Sequence, residues 1–164
     1  MPKTIKRTLE INKKNGNTLW QDAIALEMEA VQIAFKILHG EDVVPPGYQY
    51  MECHMVFEIK IEGFRRKARL VAGGHMTEML AVMTYAMMVS RDTVRIALTI
   101  AALNDLEVKT SNIKNAYLTA PCEEKIYTTL GQEFGPDAGK KAIIVRALYG
   151  LESAGASFGQ HISD

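Results

Sequence analysis

Apolar residues recur at steps of three and four from Trp20 through Ile24, Met28 and Val31 to Phe35, the period of one face of a helix. Thr18 stands where an N-cap would, and Asp22 falls in the first turn, where the helix dipole favours an acid; a helix over 18–35 is predicted. Before it, residues 1–17 are polar, rich in Lys and Asn and without periodicity, which predicts a loose leader. Pro45, Pro46 and Gly47 then break the chain. From Cys53 to Ile61 the period changes to two: Cys53, Met55, Phe57, Ile59 and Ile61 alternate with His54, Val56, Glu58 and Lys60. Glu62-Gly63 is placed for a two-residue turn, and the return strand sets Phe64, Ala68, Leu70 and Ala72, with Arg66 as the exception, against Arg65, Lys67, Arg69 and Val71.

Between His75 and Ser90, Met76, Met79, Met83 and Met87 form a helical stripe, the mark of core packing. Ser90 caps the next predicted helix, Arg91 to Leu103, apolar nearly all round and therefore expected to be buried. A short strand follows, with Leu106, Val108 and Thr110 on one side and Glu107, Lys109 and Ser111 on the other; a tight run then closes on Tyr117 and Leu118. Lys125 to Leu130 and Ala142 to Leu148 read as strands, 131–141 as a loop, and Leu151 to His161 as a closing helix. The sum is an α+β chain, with 18–164 as a single domain.

Composition narrows the function classes. A chain of 164 residues with 48% hydrophobic and 23% charged residues has the make-up of an ordinary globular fold. Its net charge of +0 gives no global pull toward nucleic acid or an acidic membrane, so any such affinity has to be local. The first ten residues lack the apolar core of a signal peptide, and Ile96 to Leu103 is too short to cross a bilayer; a soluble, non-membrane chain is expected. Cys53 and Cys122 are far apart in sequence and have no partner at metal-ligand spacing, which predicts reduced thiols in an intracellular protein.

Most candidate motifs reduce to bland chemistry. Gly139-Lys140 lacks the preceding glycine and following hydroxyl of a phosphate-binding loop, so it reads as a turn. His39, His54, His75 and His161 show no zinc spacing. Ser153 and Ser157 near His161 have no glycine elbow or orienting acid to make a nucleophile. Arg65, Lys67 and Arg69, three cations on one predicted strand face, are the one concentrated positive feature.

Several segments, in order, resemble the reverse transcriptases of copia-type LTR retrotransposons. Arg66-Lys67-Ala68-Arg69-Leu70-Val71-Ala72-Gly73-Gly74 is similar to that family's Tyr-Lys-Ala-Arg-Leu-Val-Ala-Lys-Gly, and MVFEIK at 55–60 to its Trp-Val-Phe-Lys-Ile-Lys. Trp20, Ala23 and Glu27 resemble its Trp-x-x-Ala-x-x-x-Glu helix, Thr93-Val94-Arg95 its Thr-Ile-Arg, and 123–127 its Glu-Glu-Glu-Ile-Tyr. Ala147-Leu148-Tyr149-Gly150-Leu151 is identical to the family's Ala-Leu-Tyr-Gly-Leu. Where the family has Asp-Val-Lys-Thr-Ala-Phe-Leu, this chain has Asn112-Ile113-Lys114-Asn115-Ala116-Tyr117-Leu118.

The resemblance implies a partial right-hand polymerase fold: a fingers hairpin plus an incomplete palm sheet with packed helices. It implies RNA-directed DNA synthesis on an RNA or DNA template-primer with deoxynucleotides and Mg2+, in the cytoplasm, and an irregular connection over 75–90 in place of a methionine-striped helix. Arg69 would grip the incoming triphosphate with Lys67 in support and Arg65 toward nucleic acid; a planar guanidinium suits the task because it donates two parallel hydrogen bonds. Tyr117 would be the aromatic at the sugar gate, and Tyr149 and Gly150 would line the nucleotide pocket. Asn112 takes the place of the metal-binding aspartate, leaving the backbone carbonyl of Ile113 as the remaining metal contact. The family's Asp-Asp hairpin lies beyond Asp164, and its Lys-Gln after Tyr-Gly-Leu is Glu152-Ser153 here. Magnesium demands hard anionic oxygens, so this departure predicts weak or absent metal binding and no polymerisation by this chain alone. The alternatives are a non-catalytic nucleic-acid binder using the Arg65/Lys67/Arg69 face, and a decayed segment with no selected role.

Overall fold

A computed structural model describes residues 1–73 and 89–163. Both expectations for 75–90, the methionine stripe and the irregular connection, therefore lie outside the described residues except at Val89 and Ser90.

Where a loose leader was expected, the chain forms helix α1, Ile5–Asn15. The Thr4 hydroxyl accepts a hydrogen bond from the Arg7 amide at 3.2 Å, and Gly16, at φ 61°, closes the far end in the left-handed conformation that a glycine adopts without strain. The buried Asn12 side chain accepts from the Trp20 amide at 3.2 Å, which fastens α1 to the next helix.

That helix, α2, runs Leu19–Val31 and stops short of Phe35. Thr18 does not cap it by accepting a bond; its hydroxyl donates to the Asp22 carboxylate at 2.9 Å. A 3-10 turn at Gln32–Ala34 leads into strand β1, Phe35–Ile37, in which Phe35 pairs with Ile144 and meets the Phe134 ring at 5.1 Å. Strand pairing thus overrides the helical spacing at its last member.

Strands β2 (Gln49–Tyr50), β5 (Ile126–Thr129) and β6 (Lys141–Ile144) join β1 in a sheet of order β1-β6-β5-β2, parallel only between β2 and β5. Strands β3 (Cys53–Ile59) and β4 (Arg66–Ala72) form a separate antiparallel hairpin, from Cys53 opposite Ala72 to Ile59 opposite Arg66. The predicted two-residue turn is instead a 3-10 turn at Glu62–Phe64, with Gly63 at φ 74° and the Lys60 amide bonded to the Arg65 carbonyl at 2.9 Å. Arg65 consequently sits in the loop and not on the strand.

Helix α3, Arg91–Leu103, has the predicted bounds and the predicted cap, the Ser90 hydroxyl accepting from the Thr93 amide. Its expected burial is overturned: only Ala101 is buried, and Ile96 is 61% exposed. Apolar composition reports a need for cover, and no described element packs extensively on this helix. The strand expected at 106–111 is likewise absent; these residues are exposed and unpaired with any described strand. Short helix α4 (Ala116–Thr119) and closing helix α5 (Ala154–Ser163) complete the order. The expected strand to Leu148 ends at Ile144, although Ala147 and Leu148 stay buried.

One core joins these pieces. Trp20 of α2 meets Phe57 of β3 edge to face at 5.6 Å, while Leu70, Ile126, Ile144 and Leu148 are almost wholly removed from water. The architecture is α+β, as expected. No described helix is long and apolar enough to cross a membrane.

Candidate functional site

Strand β4 alternates as a half-buried strand should: Ala68, Leu70 and Ala72 face the core, while Lys67, Arg69 and Val71 face outward. One edge of β4 pairs with β3; amides on the other edge need different acceptors. The Glu27 carboxylate, from α2, accepts from the Leu70 amide at 3.0 Å. The Tyr149 carbonyl accepts from the Ala72 amide at 2.8 Å. Two segments remote in sequence thus seal the strand that carries Lys67 and Arg69.

Gly150 makes the second closure possible. It lies at φ 93°, and a Cβ there would collide with the Ala72 carbonyl oxygen. Only glycine accepts both constraints. Tyr149 is thereby held beside β4, and the Arg69 guanidinium lies 5.6 Å from its ring centroid. Tyr149 also meets Tyr117 of α4 at 5.0 Å, and Tyr117 meets Phe158 of α5 at 6.0 Å. Arg69, Tyr149, Gly150 and Tyr117, singled out separately along the sequence, form one continuous cluster.

Electrostatics at the cluster are mixed. Arg69 Nη1 donates to Glu58 Oε2 at 2.8 Å, while its Nε is buried without an acceptor among the described residues. Burial, followed by the charges of Arg69 and Lys60, pulls the Lys67 ammonium below its ordinary value, against the opposing pull of Glu27 and Glu58. Burial raises the Glu27 carboxyl; the Leu70 hydrogen bond and the Lys67 and Arg69 charges limit that rise.

Asn112 and Ile113 lie apart in character: both are exposed, in the irregular segment before α4. Next to them a cleft of about 320 Å3 is lined by Lys114, Asn115 and Arg146. No group of three or more His, Cys, Asp or Glu among the described residues is placed to hold a metal ion. The side chain at 112 is a neutral amide without an anionic oxygen, the ligand type magnesium favours.

A profile described as reverse transcriptase (RNA-dependent DNA polymerase) matches residues 42–164. The chain belongs to the reverse transcriptase family. It is also 31% identical, over 93% of its length, to the retrovirus-related Pol polyprotein from transposon TNT 1-94 of Nicotiana tabacum. The copia-type retrotransposon resemblance is borne out on both counts. The chain spans 12% of the length of that polyprotein. No solved structure matches.

For this reverse transcriptase chain, sequence reasoning missed two acids beside the cluster. Glu27 was visible only as part of a helix pattern, and Glu58 only as the polar member of an alternating strand. The partner of Glu58 becomes evident once the strands are in register, because Glu58 and Arg69 are diagonal neighbours across β3 and β4, and that of Glu27 once α2 packs on β4.

Proposed function

We propose that this chain forms the fingers and the start of the palm of a retrotransposon reverse transcriptase, and that it retains a triphosphate subsite but not a working metal centre. The observation that supports the subsite is the contact series from Arg69 through Tyr149 to Tyr117. In this reading Arg69 donates paired hydrogen bonds to phosphate oxygens, and Lys67 adds a second charge beside it. Tyr149 presents its face to the guanidinium and fixes its direction. Tyr117 supplies the ring that meets the sugar. Magnesium, in the family, supplies charge neutralisation at the reacting phosphate; Asn112 gives it no anionic oxygen, and its binding here is proposed to be weak.

A free-standing nucleic-acid face has less support. Arg65 lies in the loop before β4 and Arg69 is already paired with Glu58, so the cations do not make one open row.

Two measurements test the reading. Titration with a deoxynucleoside triphosphate, followed by fluorescence, is expected to show binding that Arg69→Ala weakens about tenfold or more; equal affinity in the variant overturns the subsite. Substituted for the matching segment of an active copia-type polymerase, the chain is expected to reduce primer extension by roughly three orders of magnitude, and Asn112→Asp to restore most of it. A folded Asn112→Asp chimera without activity would contradict the metal-centre reading.

A further inference from the structure

We propose that Glu58 is a competing latch on Arg69, so that an anion binds only by displacing a carboxylate already in place. The inference rests on the reading of Arg69 as a phosphate ligand and adds what an anion has to displace to reach it.

Glu58 and Arg69 are on adjacent, fully registered strands, one diagonal step apart, with Oε2 and Nη1 2.8 Å apart. The carboxylate is therefore tethered at high effective concentration, and a free anion has to compete with it for the same donor. Side-chain exposures of 25% for Arg69 and 39% for Glu58 leave the pair open to that competition. Tyr149 lies against the guanidinium and the Nε side is buried, so the outer amino groups are what a ligand can reach. Glu58 engages one of them with a single oxygen.

A triphosphate brings more charge and more acceptor oxygens than this one contact, and Lys67 and Lys60 lie close enough to feel each other's charge in the same region. An orthophosphate brings little advantage over the resident carboxylate. The displacement cost falls equally on every anion, so the latch weakens binding across the board, and a polyphosphate, with its further contacts, still binds measurably where a single phosphate does not.

The test is calorimetric titration of the full chain with inorganic tripolyphosphate and, separately, orthophosphate. Glu58→Gln, and Glu58→Ser as a second variant, are expected to tighten tripolyphosphate about threefold to fivefold, the range for a partly exposed ion pair. Orthophosphate is expected to gain by a similar factor, because both anions displace the same contact. Glu52→Gln makes the same change in net charge at an exposed position outside any described ion pair and is expected to alter neither affinity. The double variant Glu58→Gln/Arg69→Ala is expected to bind as weakly as Arg69→Ala alone. Unchanged affinity in both folded Glu58 variants, with Arg69→Ala still weakening binding, overturns the latch and leaves the subsite standing. An equal gain from Glu52→Gln also overturns it. No effect of Arg69→Ala removes the subsite and the latch together.

Discussion

The amide and the hydroxyl of Ser153 both donate to one oxygen of Glu124, the amide at 3.2 Å, in a pair that is almost wholly buried. This contact ties the approach to β5 to the approach to α5, immediately after the Tyr149-Gly150 turn. Removing the acceptor leaves two donors without water. Glu124→Ala is expected to destabilise the fold by about 2–4 kcal/mol in urea unfolding, and Glu124→Gln by about half as much, since an amide oxygen still accepts.

Gly150→Ala meets a collision and an unfavourable φ together. A loss of about 2 kcal/mol or more is expected by thermal unfolding, with the Ala72–Tyr149 hydrogen bond loosened. Hydrogen exchange at the Ala72 amide reads that loosening directly, and unchanged protection would contradict it.

Glu27 sets a pH dependence whose sign follows from burial. Its folded-state carboxyl titrates above the ordinary 4.5, so near that pH the folded chain holds more protons than the unfolded one. Stability from this group is fully present below 4.5 and declines as pH rises through the folded value. Relative to Glu27→Gln, the parent chain is expected to lose stability as pH rises from 4.5 through the raised folded-state value. Denaturant midpoints across that range measure it, and a rising difference would be the opposite result.

Cys53 and Cys122 are both free, and burial is the main force pushing each thiol from 9.0 up to about 11. That rise lowers the thiolate fraction roughly a hundredfold. Because a more basic thiolate is also more nucleophilic, modification by a disulfide reagent near pH 8 is expected to be slower than in the unfolded chain by about tenfold or more; equal rates would show the thiols open to solvent.

The hairpin was legible because β3 and β4 bury alternate residues, and period two admits no other reading of Met55, Phe57, Ala68 and Leu70. Helix α3 was legible in extent, since Ser90 caps it locally, but not in burial, which depends on what covers it. Helix α1 was hidden by its Lys and Asn content: its signals are the Thr4 cap, Gly16 and the buried Asn12, none of them apolar. Phe35 belonged to two patterns, and the choice fell to its partner Ile144, far along the chain. At the site, the family resemblance picked out Arg69, Tyr117, Tyr149 and Gly150, which do converge. The acids beside them needed strand register for Glu58 and helix-on-strand packing for Glu27, neither of which local spacing encodes.

The seal between Ala72 and Tyr149 has a consequence for synthesis on the ribosome. Hairpin β3–β4 is translated long before the Tyr149-Gly150 turn exists, so during that interval its outer edge offers the Ala72 amide to any passing strand. Deleting or delaying the turn should therefore harm solubility of the nascent chain sooner than it harms the hairpin itself.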